Sequence, residues 1–173
     1  AIGAYALEDQ NTDSGKNTAV GYFAGSNTTS GTNNTIFGYY AAGSGAVTGH
    51  FNSVIGSHSG FDLTSGGYNI MLGAYAGQNF TDNASNVAIG YAALNRANGG
   101  ENYNVAIGEF ALGGMDQSTG DNCIAVGFEA LKNLNVASPK NTAIGKEAGK
   151  NSMETDNTFV GYHAGKNVAH GFA

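Results

Sequence analysis

The chain has 173 residues, a formal net charge of −6 and only 12% charged side chains, so it lacks the clustered Lys and Arg that a nucleic-acid partner needs. No apolar run approaches the roughly 18 residues of a membrane-spanning helix. A single cysteine, Cys123, excludes an intrachain disulfide.

Taken in chain order, the predicted elements are ten copies of one unit. They centre on Gly3, Gly21, Gly38, Gly56, Gly73, Gly90, Gly108, Gly127, Gly145 and Gly161, at intervals of 16 to 19 residues. "NTAVGYFAG" at 17–25, "NTAIGKEAG" at 141–149 and "NTFVGYHAG" at 157–165 are three of them. The units fill residues 1–173 and make one repeat array. Helix-pair repeats need more than about 30 residues; this period suits one coil of an all-β solenoid. The array lacks an initiator Met and starts inside a repeat, which is expected of a piece of a longer fibre.

Each unit opens on a polar link rich in Thr, Ser, Gly, Asn and Asp. Four residues before the glycine stands asparagine: Asn17, Asn34, Asn52, Asn69, Asn86, Asn104, Asn141 and Asn157. Coils stacked at about 4.8 Å would bring these amides into a ladder. Cys123 takes the asparagine position in its own unit and reads as a small buried substitute rather than a nucleophile.

The two residues before every glycine are apolar in all ten units. Adjacent strand residues point to opposite faces, so both faces of this strand need cover. The nearer column, with Val20, Ile55, Ile89, Ile107, Val126, Ile144 and Val160, is expected to fill the coil. The farther column, with Ala19, Ala88, Ala106 and Ala143, is expected to admit another copy of the chain closely. A thin stack with few core side chains per coil is marginal alone, which predicts a homotrimeric rod.

Beyond the glycine comes a mixed polar and aromatic pair, then Ala in nine units and Ser59 in the tenth. This segment fits either a second short strand or a single helical turn. The position directly after the glycine holds Tyr22, Tyr39, Tyr91 and Tyr162, but also Glu109 and Lys146. A position that accepts charge is exposed, because an unpaired buried charge is costly. These tyrosines are the candidate surface contacts, amphipathic rings suited to sugars or protein surfaces.

"NTAVGYFAG", "NVAIGYAAL" and "NTAIGKEAG" resemble the repeats of trimeric autotransporter adhesin heads, the YadA-like left-handed β-roll. They are also similar to the N-T-x-x-G-Y-x-A-G arrays of bacterial surface fibres and phage tail fibres. The resemblance covers all ten units, although these coils are longer than the adhesin's. It implies three chains side by side in a rod on a bacterial surface or virion tail, outside the cell. It also implies contact with a host-cell surface protein or glycan.

No feature breaks the repeat in the way a catalytic site would. His50, His58, His163 and His170 form no metal-ligand spacing with Cys123 or a carboxylate. The calcium-binding nonapeptide, the phosphate-cradling loops and the nucleophile elbow are all missing. The reading is therefore a non-catalytic structural and adhesive segment, with no cofactor and no metal. The alternatives are a dedicated glycan-binding module, an ice-binding solenoid and a tailspike-like polysaccharide-degrading enzyme. The last needs a carboxylate pair in a groove, and no repeat supplies one.

Overall fold

A computed structural model describes residues 1–11, 15–115, 120–134 and 139–168. Nine three-residue strands follow one another: β1 (Thr18–Val20), β2 (Thr35–Phe37), β3 (Ser53–Ile55), β4 (Ile70–Leu72), β5 (Val87–Ile89), β6 (Val105–Ile107), β7 (Ile124–Val126), β8 (Thr142–Ile144) and β9 (Thr158–Val160). They form one parallel sheet in sequence order. Register is strict: Ala88 pairs with Ala106, and Ala106 with Ala125. Ile2 adds a bridge to Val20 ahead of β1. The chain is an all-β solenoid in which each repeat makes one coil.

Parallel strands this short are stable only because hydrogen bonding continues around the coil. Gly38 N donates to Val20 O at 2.9 Å, Tyr40 N to Tyr22 O at 2.9 Å, and Ala42 N to Ser59 O at 3.0 Å. The segment after the glycine is neither a second strand nor a helical turn. It closes as consecutive tight turns with left-handed residues at alternate positions, as at Phe23 (φ 54) and Gly25 (φ 57). Ala24 N reaches back to Gly21 O, and Ser26 N to Phe23 O, both at 3.4 Å. A positive φ at the third residue is the type II form.

The central glycine is required at each coil. At Gly108, φ is +130° and a β-carbon would lie 2.5 Å from Gly127 O in the next coil.

The middle residue of each strand points inward, which reverses the expected inside and outside. Ala19, Ile36, Val54, Met71, Ala88, Ala106, Ala125 and Ala143 are completely buried. The column expected to be the core, Val20, Ile55, Ile89, Ile107, Val126, Ile144 and Val160, faces outward and is half-buried or exposed. Ala19, Ala88, Ala106 and Ala143 lie within their own coil rather than on its surface.

The reason is the narrowness of the interior. Where the strand carries Ala88, Ala106 or Ala125, the turn carries buried Leu94, Leu112 or Leu131. Where it carries Met71 or Phe159, the turn has Gly77 or Gly165, at which a β-carbon would strike the larger side chain. Each of these coils has one large side chain between strand and turn, whereas Ala19 with Gly25 and Ala143 with Gly149 leave the space to neighbouring coils: Ile36 reaches Gly25, and Leu131 and Phe159 reach Gly149. Leu63, Phe80, Met115 and Leu134 close the core from the link side.

Candidate functional surface

The asparagine column forms inside the coil. Asn34 Oδ1 accepts Asn52 N at 2.8 Å and Asn52 Nδ2 at 3.0 Å. The arrangement recurs at Asn69 and Asn86, while Asn17, Asn104 and Asn141 each accept the backbone N–H one coil on. The same amides have a second duty that the sequence did not disclose. Their Nδ2 donates to the carbonyl three residues before the next unit's asparagine position: Asn17 to Gly31, Asn34 to Gly49, Asn52 to Gly66, Asn69 to Asn83, Asn86 to Glu101, Asn104 to Gly120 and Asn141 to Glu154. Each side chain thus clamps the turn leading into the following strand. Asn157, beside the last strand, donates to Thr155 O instead.

Cys123 donates its backbone N–H to Asn104 Oδ1 but cannot extend the amide chain. Burial pushes its thiol up to about 11, so the nucleophilic thiolate is suppressed.

The outward face of the sheet carries two columns. One holds Val20, Phe37, Ile55, Leu72, Ile89, Ile107, Val126, Ile144 and Val160; the other has Thr or Ser at both ends and Ile70, Val87, Val105 and Ile124 in the middle. Phe51, Tyr68 and Tyr103 border the second column and are exposed.

On the other flank, the two positions after the glycine form ring ladders. Tyr5, Phe23, Tyr40, His58 and Tyr75 stack face to face from coil to coil, with centroids 4.5 to 5.7 Å apart. Tyr22 and Tyr39 stack beside them at 5.7 Å. Ala92 interrupts the first ladder, and Tyr91 turns edge-on to both Tyr75 and Phe110 there. All four candidate contact tyrosines, Tyr22, Tyr39, Tyr91 and Tyr162, are exposed.

In the last coils the same column becomes ionic. Glu129 pairs with Lys132 at 2.6 Å and Lys150 at 2.5 Å; Glu147 pairs with Lys150, Lys166 and His163. Hydrogen bonds from Lys132 and Lys166 hold Glu129 and Glu147, respectively, below the ordinary carboxylate range. Lys132 also lies 4.4 Å over the Phe110 ring. A second, surface asparagine ladder runs beside it, Asn133 to Asn151 to Asn167, at 2.6 and 2.7 Å.

One carboxylate departs from the repeat inside. Glu101 is fully buried on the link into β6. Its Oε2 accepts Asn83 Nδ2 at 2.7 Å and Gly99 N at 3.0 Å, while Oε1 has no partner. Burial raises its proton affinity above the usual carboxylate value, and Asp82 adds to the effect.

The remaining histidines have local partners: His50 Nδ1 accepts Thr32 N at 3.0 Å, and His58 belongs to the ring ladder. His170 lies outside the described residues. Among the described residues no pocket opens, and no three His, Cys, Asp or Glu side chains converge as metal ligands would. No described helix is long and apolar enough to cross a membrane. What the described surface offers is repetition: flat columns of like side chains along a rod. The chain matches no protein-family model, and no curated protein or solved structure is significantly similar to it.

Proposed function

We propose that this chain is a non-catalytic segment of an extracellular homotrimeric fibre, on a bacterial surface or a virion tail, giving a rigid rod for multivalent attachment. One observation carries the reading: one column of the outward sheet face, Val20 to Val160, is apolar along its whole length, and the column beside it is apolar over its four middle strands. Nine strands at about 4.8 Å make a strip nearly 40 Å long, two columns wide at about 3.3 Å per residue. Its area, on the order of 400 Å² per copy for a three-residue width and including the Thr and Ser positions, matches the largest patches of ordinary monomers, which are often functional. Other copies of the same chain are the economical cover, because each presents the same strip at the same spacing. The resemblance to adhesin heads and tail-fibre arrays agrees with this arrangement.

Attachment would then come from flank positions repeated on every coil and every chain, adding weak contacts by avidity. A sugar-stacking platform is the weaker reading. Tyr22 and Tyr39 stack on each other, and Tyr162 stacks on His163, so part of their ring surface is already covered.

Sedimentation of the chain at micromolar concentration tests the assembly. A trimer is expected, with Ile89→Asp and Ile107→Asp remaining folded but dissociating. A folded monomer of the unaltered chain would sink the proposal.

A further inference from the structure

Asn98 is the only asparagine in the sequence that is followed by glycine. It is exposed on the link into β6, and its backbone carbonyl accepts Thr81 Oγ1 at 2.8 Å. The next peptide nitrogen, Gly99 N, donates to the buried Glu101 Oε2 at 3.0 Å. Asn83 Nδ2 holds that oxygen from the coil before, and Asp82 Oδ1 accepts Gly100 N at 3.2 Å. Gly99, with φ +144°, brings no side chain between the nitrogen and its surroundings. A carboxylate therefore touches the one backbone N–H beside an exposed asparagine amide, on a segment fixed at both ends.

The geometry points to a self-modification site at Asn98–Gly99, with Glu101 as the base. Gly99 N attacks Cγ of Asn98 as Oε2 takes the amide proton. The Cγ–Nδ2 bond breaks, and the same proton leaves with Nδ2 as ammonia, closing a five-membered imide. Water then opens the imide to aspartate or isoaspartate. No oxidant or cofactor enters the balance. Proton transfer needs a base within hydrogen-bond reach, about 2.6–3.2 Å, and Glu101 meets that condition. Its dry position and its unpartnered Oε1 favour holding the proton. The isoaspartate product lengthens the main chain by one carbon between the Thr81 and Glu101 anchors, marking the age of the segment independently of any fibre role.

Peptide mapping with isoaspartate-specific methylation tests it on the intact chain incubated near neutral pH. Asn98 should convert several-fold faster in the folded chain than in the same chain unfolded in urea, and several-fold faster than in Glu101→Gln. Conversion in the folded chain at or below the unfolded rate would overturn the assignment without any variant. An unchanged rate in folded Glu101→Gln would overturn it as well.

Discussion

Met71 occupies the space beside Gly77: a β-carbon at that glycine would come within 2.7 Å of the Met71 sulfur. Size is exchanged in this way between strand and turn in the coils from Ile36 to Ala125. Where the strand residue is Ala106, the turn residue is Leu112. Ala106→Met should therefore overpack the coil and cost about 1–3 kcal/mol. Adding Leu112→Gly should return part of that loss, with coupling above about 0.5 kcal/mol in a double-mutant cycle. Urea denaturation of the four chains measures it, and simple additivity would contradict the exchange.

The buried asparagines should be far more sensitive than the surface ones. Asn69→Ala removes the acceptor for Asn86 N and the donor to Asn83 O. Each stranded buried group costs about 1–3 kcal/mol, so the substitution should cost several kcal/mol in total. Asn151→Ala, in the surface ladder, leaves groups that water can reach and should cost under about 1 kcal/mol. Similar unfolding midpoints for the two variants would contradict the clamp.

The central glycines separate backbone strain from crowding. Gly108 and Gly161 have nearly the same φ, +130° and +128°, but a β-carbon at Gly161 meets nothing closer than 3.9 Å. Gly161→Ala should cost about 1–3 kcal/mol for its left-handed backbone. Gly108→Ala should cost clearly more, since its β-carbon would meet a backbone oxygen at 2.5 Å. Equal thermal shifts would mean that the coils can move apart.

Glu101 should make the coil less stable as pH rises. Its folded proton affinity is above the ordinary value because of burial. Below the unfolded-state pKa of about 4.3 both states are protonated and the burial is uncharged. Stability is then lost as pH climbs from that value through the higher folded one. Glu101→Gln removes the titration, so its stability relative to the unaltered chain should improve between pH 4 and pH 7. A difference that stays constant across that range would refute the buried charge.

The sequence by itself determined the period, the solenoid and the asparagine ladder, because each depends on identical residues returning at one spacing. A column of amides at coil spacing has few other arrangements, and Asn34, Asn52, Asn69 and Asn86 link as that spacing requires. Exposure of Tyr22, Tyr39, Tyr91 and Tyr162 was legible too, from the charged residues that share their position. The direction of the strand was not. Alternation says that Ala106 and Ile107 face opposite ways, yet both are apolar, and hydrophobicity alone favours placing the larger one inside. The tertiary structure decided otherwise because Leu112 already fills the coil opposite Ala106. That volume comes from a turn residue six positions away, and only the closed coil brings the two sides together. The buried carboxylate of Glu101 was illegible for the same reason: Gly99 lies two residues away on the same link, but Asn83 belongs to the coil before and meets it only when the coils stack.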